Sequence, residues 1–361
     1  MKYSDEFRKP EHVLRLLAMI RNRSRRPARL MEFCGGHTHA IFKFGLRQLL
    51  PPTVRLHSGP GCPVCVTATS DLDRAIALAH LPDTIMTTFG DMMRVPASRG
   101  SLQVARARGA DVRIVYSTLD ALAIARANPD CEVIFLAIGF ETTAPTVAAA
   151  VMKAKAERLN NFSILCLHKL TPPAMKGILN AGEIALSGVI GPGHVTTIIG
   201  LDAWTFLPRD YGVPCAVAGF EPLDIVHAIY SLVDMIERRA PGVGNAYMRS
   251  VHASGNRVAQ QMIEQAFQVG PATWRGLGAI PESGLALRDE YAQFDAAVRF
   301  PVHVESSQEP LGCRCGQVVR GVIEPPDCSL FARACTPERP VGPCMVSSEG
   351  ACAAYMQYRE A

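Results

Sequence analysis

The sequence predicts an α/β chain built of two related parallel-sheet lobes and a cysteine-rich C-terminal unit. Three observations carry this. From about Leu30 to His227, short apolar runs alternate with Ala-rich helical stretches, the pattern of βαβ units. A three-part series of segments occurs twice within that region. Beyond about Arg238 the periodicity fades, and six of the twelve cysteines fall between Cys313 and Cys352.

At the N-terminus, Val13, Leu16, Leu17 and Ile20 recur at helical spacing. The basic run "RNRSRRPAR" that follows reads as a solvated helix end and linker. Strands are expected in "DVRIVYS" (Asp111 to Ser117), "CEVIFLAIG" (Cys131 to Gly139) and "NFSILCLH" (Asn161 to His168). The repeated series is "MEFCGGHTHAI", "SGPGCPV" and "TFGDMMRVP", then "AIGFETTAPTV", "IGPGHVT" and "AGFEPLDI". The expected division is 1–29 as an N-terminal helix and basic linker, 30–130 as the first lobe, 131–237 as the second and 238–361 as the C-terminal unit.

The 361 residues are 48% apolar and 19% charged, which excludes extensive disorder. A net charge of +4 is too small to argue for nucleic acid. There is no signal-peptide pattern and no run of about 18 uncharged apolar residues, so a cytoplasmic protein without a membrane partner is expected. In a reducing compartment, twelve cysteines point to metal ligation or catalysis rather than structural disulfides.

In "EFCGGHTH", Cys34 sits in a glycine turn before a helix-like stretch, where a helix N-terminus would lower the thiol pKa. His37 and His39 follow, each able to carry a proton or bind metal. Cys62 and Cys65 form a C-x-x-C pair stiffened by Pro63, which suits a redox dithiol; a zinc site of Cys34, Cys62, Cys65 and His37 has acceptable ligand types and stays open. Cys131, Cys166 and Cys215 lie in apolar runs and read as core residues. In the second series, Thr142 or Thr143 is expected to cap a helix, and His194 to have a functional role. Glu349 either caps a helix or approaches the Cys34 site. No P-loop is present.

Cys313, Cys315, Cys328, Cys335, Cys344 and Cys352 crowd a segment poor in apolar residues, without the paired knuckles of a zinc ribbon. Four thiolates suit a [4Fe-4S] cluster, and spacing alone does not choose four of the six.

The segment from Cys313 to Tyr355, ending "GPCMVSSEGACAAY", resembles the C-terminal signature of the HypD family of hydrogenase maturation proteins. Its C-x14-C-x6-C-x16-C motif is reproduced by Cys313, Cys328, Cys335 and Cys352. The resemblance runs on through "FCGGHTHAI", "GPGCPVCVT", "TFGDMMRVP", "GFETTAPT", "PGHVTTIIG", "AGFEP" and "WRGLGAIPESGL". Ala97 departs from it, standing where the family is expected to carry glycine, which restricts that turn.

The resemblance implies two Rossmann-like lobes with an iron-sulfur-binding C-terminal domain. It implies a scaffold that works with a small HypC-like chaperone and a HypE-like cyanide donor. Together they assemble an iron carrying two cyanides and one carbon monoxide. Such an iron favours thiolate donors, so Cys34 is its expected ligand, with His37 as proton donor or orienting group and Asp91 as a charged neighbour. Cys313, Cys328, Cys335 and Cys352 would hold the cluster, and Cys315 with Cys344 would relay electrons to Cys62 and Cys65. The rival readings are a free-standing iron-sulfur thiol-disulfide reductase and a zinc-dependent hydrolase.

Overall fold

The computed structural model describes residues 5–304 and 308–358. The first four residues of the expected 1–29 segment and the last three of 238–361 lie outside them. The strands, in chain order, are β1 (Ala28–Glu32), β2 (Val54–Ser58), β3 (Thr84–Thr88), β4 (Asp111–Ile114), β5 (Glu132–Ala137), β6 (Phe162–Cys166), β7 (Gly188–Pro192), β8 (Cys215–Ala218) and β9 (Val243–Asn245). A hairpin of β10 (Phe267–Trp274) and β11 (Gly278–Leu287) follows.

Two sheets of parallel strands result, of order β2-β1-β7-β8-β9 and β4-β3-β5-β6. Helices cover them, so central strands are buried on both faces: in β5 every residue from Val133 to Ala137 is buried. This is the expected α/β architecture. Its partition differs from the expected one. The sheet of β3 to β6 is inserted whole between β2 and β7 of the other, and a boundary at 130 falls inside it. Parallel strands need only a crossover, and that crossover can be an entire second lobe.

The repeated series is correspondingly not one copy per lobe. Its six segments follow β1, β2, β3, β5, β7 and β8, so what recurs is the chemistry of strand C-terminal ends. Glycine there permits close approach: a Cβ on Gly193 would strike the Ala218 carbonyl, and one on Gly219 the Asp224 carboxylate. Ala97 keeps negative φ, while Gly100 takes φ +123° in the same turn, so alanine is accommodated.

The N-terminal helix Pro10–Arg23 buries Val13, Leu17 and Ile20 against helix Pro222–Arg238 and belongs to the first sheet's lobe. Its basic run is tied down rather than simply solvated: Arg23 pairs with Asp234, and the Arg25 and Arg26 amides donate to Glu237. Residues 238–361 are likewise not one unit. β9 completes the first sheet, helix Arg257–Ala266 packs on helix Ala144–Ala156, and β11 packs on helix Thr171–Ala181. The cysteine-rich remainder ends in helix Ala351–Tyr358, which lies on helix Gly35–Lys43. One buried cluster runs from Met31 and Phe33 through Met86 and Leu136 to Cys344 and Cys352, joining both sheets and this segment in a shared core. Among the described residues no helix is long and apolar enough to cross a membrane.

Candidate functional site

In an open parallel sheet, ligands bind where neighbouring strands send their connections in opposite directions. The first sheet has that point between β1 and β7, and the second between β3 and β5. The chain ends of these four strands face one another across a cavity of about 320 Å³. Cys34 follows β1, His194 follows β7, Asp91 follows β3, and Gly139, Thr142 and Thr143 follow β5; all line it, joined by Ser347 and Glu349 from the cysteine-rich segment.

Cys34 is the N-cap of helix Gly35–Lys43 in extended conformation, φ −157° and ψ 128°. Its carbonyl accepts the amides of His37 (3.0 Å) and Thr38 (3.2 Å). The amides of Gly36 and His37 point at its sulfur and favour the thiolate, as the sequence suggests. Burial, followed by the charge of Glu349, outweighs them and pushes the Cys34 thiol up to about 12. The expected depression is therefore reversed: a helix terminus acts over a turn, whereas the protein packed around this half-buried residue penalises its charged form.

Cys62 and Cys65 flank Pro63 at the start of a one-turn helix and are joined as a disulfide, Cα atoms 5.2 Å apart. They are 4% and 2% exposed. Gly61, just before them, packs on the Cys34 backbone and accepts the Gly35 amide at 3.0 Å. The Cys65 sulfur lies 4.0 Å from the carbonyl oxygen of Pro343, the residue before Cys344.

The histidines part company. His37 is fully buried; its Nε2 lies 3.1 Å from the carbonyls of both Ala218 and Gly219, and its ring stacks on Phe220 at 4.8 Å. Burial brings its pKa down to about 4. It does not line the cavity and is neutral at ordinary pH, which argues against the expected role as proton donor. His194 stacks on the same Phe220 ring at 4.0 Å and reaches the cavity, its pKa lowered by burial. His39 points elsewhere, its Nε2 3.1 Å from the Tyr358 hydroxyl. The four-ligand zinc arrangement does not form, since Cys62 and Cys65 bond each other and His37 turns to backbone carbonyls.

Asp91 accepts the Ser347 hydroxyl at 3.1 Å. Glu349 stands at the exposed rim, yet the surrounding protein and then Asp91 raise its carboxyl pKa. Thr143 is the N-cap of helix Ala144–Ala156 without making the expected side-chain cap; its hydroxyl turns to the Phe140 carbonyl and His168. Phe220 escaped the sequence reading. Its signal was its place after "AG" in the last repeated segment, the position at which a strand end enters the site.

Among the C-terminal cysteines, Cys315 lies close enough to Cys313, Cys344 and Cys352, and Cys344 to Cys352, for the thiols to shift one another's ionisation. The charge of Cys335 acts on Cys352. A Cβ on Gly342 would come within 2.5 Å of the sulfurs of both Cys313 and Cys315, so its bare backbone leaves a cradle among thiols. Its hydrogen bond from Cys315 brings the Cys313 thiol down to about 7. Cys328 is half-buried at the start of the turn that carries Cys335. Among the described residues no three Cys, His, Asp or Glu side chains stand ready-made around a metal position, and the six C-terminal cysteines are free thiols. Their donor type fits a thiolate-bound iron-sulfur cluster. Cys215 lies fully buried in β8, Cys166 is half-buried at the end of β6, and Cys131 is half-buried just before β5.

The HypD family model, described as "Hydrogenase formation hypA family", matches residues 11–359. The chain is 50% identical to hydrogenase maturation factor HypD2 of Bradyrhizobium diazoefficiens, over 99% of this chain and 97% of that protein. It is 49% identical to hydrogenase maturation factor HypD of Azotobacter vinelandii over the same shares, and 46% identical to that of Escherichia coli over 100% of this chain and 99% of that one. A match that runs the length of the chain and takes in every segment lining the cavity places it in the HypD family of hydrogenase maturation factors.

Proposed function

We propose that this maturation factor is a redox-active scaffold on which, with a HypC-like partner, an iron bearing two cyanides and one carbon monoxide is assembled, a HypE-like protein giving the cyanide. The observation that supports it is the placement of Cys34, a soft donor, in a cavity between two sheet switch points with a disulfide at its back. The iron is cargo. Cys34 must lose its proton to bind it, and Glu349 is the carboxylate whose charge acts on that thiol. Transfer of the proton to Glu349 leaves one charge where two would repel, so its raised pKa suits an acceptor. Asp91 and Ser347 hold the adjoining wall.

Reduction of Cys62–Cys65 takes two electrons and two protons and releases two thiols. Sulfurs so deeply buried are inaccessible to a general thiol partner, which favours internal use over the free-standing reductase. A [4Fe-4S] cluster, held by Cys313, Cys328, Cys335 and Cys352 on the family's spacing, would supply single electrons. Cys315 and Cys344 influence one another's ionisation, and Pro343, the residue before Cys344, touches the Cys65 sulfur, which supports them as a relay.

Infrared spectra of the anaerobically purified chain with its partner test the reading. Cyanide and carbon monoxide bands that disappear in Cys34→Ala support it; bands that persist remove Cys34 as ligand, and stoichiometric zinc in place of iron rejects the scaffold.

A further inference from the structure

Behind the cavity wall at Thr143 lies a row of polar groups centred on the buried His168 that the scaffold reading does not use. Thr143 lines the cavity, and its hydroxyl occupies the space that a Cβ at Gly139 would take, so glycine there leaves it room. Its hydroxyl lies 3.2 Å from the Phe140 carbonyl and 3.1 Å from His168 Nε2. His168 is 1% exposed, and its Nδ1 stands 3.7 Å from the Cys166 sulfur. That thiol donates in turn to the Leu285 carbonyl at 3.2 Å.

The direction of this row follows from its far end. A carbonyl only accepts, so the Cys166 proton points to Leu285 and the sulfur meets Nδ1 with a lone pair. Nδ1 then carries the ring proton and Nε2 is bare. Burial presses the His168 pKa to about 3, so the ring stays neutral. The single Thr143 proton now has two acceptors, both on the protein side, and none is left for the cavity.

We propose that His168, held by Cys166 as the Nδ1–H tautomer, positions Thr143 so that its oxygen faces the Cys34 cavity as a hydrogen-bond acceptor. The wall at Thr143 therefore receives an N–H or O–H of whatever binds there. A cyanide nitrogen, itself an acceptor, receives no hydrogen bond from it. This last step rests on the scaffold reading; the tautomer does not.

Two measurements test it. In the chain labelled with ¹⁵N-histidine, the His168 ring, identified by its loss in His168→Gln, is expected as the neutral Nδ1–H form from pH 5 to 9, with Thr143→Val shifting its Nε2 resonance. An Nε2–H form, a ring that titrates in that range, or an Nε2 signal indifferent to Thr143→Val overturns the proposal. In the partner complex carrying the iron, Thr143→Val, which keeps the shape, should leave the cyanide infrared bands in place. His168→Phe leaves the Phe140 carbonyl as the proton's one acceptor on the protein side, so a fraction of the hydroxyls should turn to the cavity and shift one of them, and His168→Phe with Thr143→Val should restore it. A cyanide band already displaced by Thr143→Val alone overturns the acceptor assignment. A wild-type complex without such bands counts against the scaffold, and the nitrogen spectrum then decides the tautomer by itself.

Discussion

Gly61 lies directly on the backbone of Cys34, its carbonyl taking the Gly35 amide at 3.0 Å, so the loop of the buried disulfide and the turn of the cavity thiol are one packed unit. A methyl group at 61 would overlap the Cys34 backbone, which cannot swing aside as a side chain can. Gly61→Ala is expected to cost about 1–3 kcal/mol from overpacking. Thermal unfolding together with alkylation of Cys34 checks this, the variant losing stability while its cavity thiol becomes more reactive.

The raised pKa of Cys34 makes it a slow nucleophile at neutral pH. Its alkylation should lag behind that of the unfolded chain and keep accelerating well above pH 9. Because the Glu349 charge contributes to the rise, Glu349→Gln should quicken alkylation at a given pH. Mass spectrometry of the Cys34 peptide over a pH series reads this, and an unchanged or slower rate would remove Glu349 from the site's electrostatics.

Glu141 is buried after β5, where its Oε1 accepts both the amide (2.7 Å) and the hydroxyl (3.0 Å) of Thr171 while Oε2 is unpartnered. Burial lifts its pKa from 4.5 to about 7. Between those values the folded chain binds more protons than the unfolded one at this site, so its contribution to stability falls as pH rises through the window. The full effect is at most on the order of 3 kcal/mol. His37 works in the opposite sense: its pKa, lowered from 6.5 to about 4, gives stability that is present above 6.5 and lost as pH falls through about 4. Glu141→Gln keeps an acceptor for Thr171 and removes only the first dependence. Denaturant melts should show the variant gaining on the native chain as pH rises from about 5 to 8.

Cys315→Ala with Cys344→Ala should leave iron content unchanged while slowing reduction of Cys62–Cys65, because Pro343, beside Cys344, is the contact to the Cys65 sulfur. Thiol trapping under a chemical reductant measures the rate, and an unchanged rate rejects the relay.

Much of this molecule is written locally. Apolar runs bounded by turns marked β5 and β6, since a strand buried on both faces needs such a run, and a shorter run marked the edge strand β4. The glycine-flanked segments marked strand ends, since backbones approach closely there. Cys34, Asp91, His194 and Glu349 were all legible as candidates and meet at one cavity. His37, directly after the glycine pair, was equally conspicuous, yet its partners are the carbonyls of Ala218 and Gly219, 181 and 182 residues away. Nothing near it in the chain announces them.

The sequence by itself determined the class of fold, the family and the kinds of donor atom, because hydrophobic period, turn chemistry and thiol content are properties of short stretches. Only the tertiary structure decided that β1 pairs with β7, that one lobe is inserted in the other, and that the Cys34 thiol is harder rather than easier to ionise. Strand order and burial depend on contacts between residues more than a hundred positions apart. A thiol's acidity depends on how much water those contacts exclude.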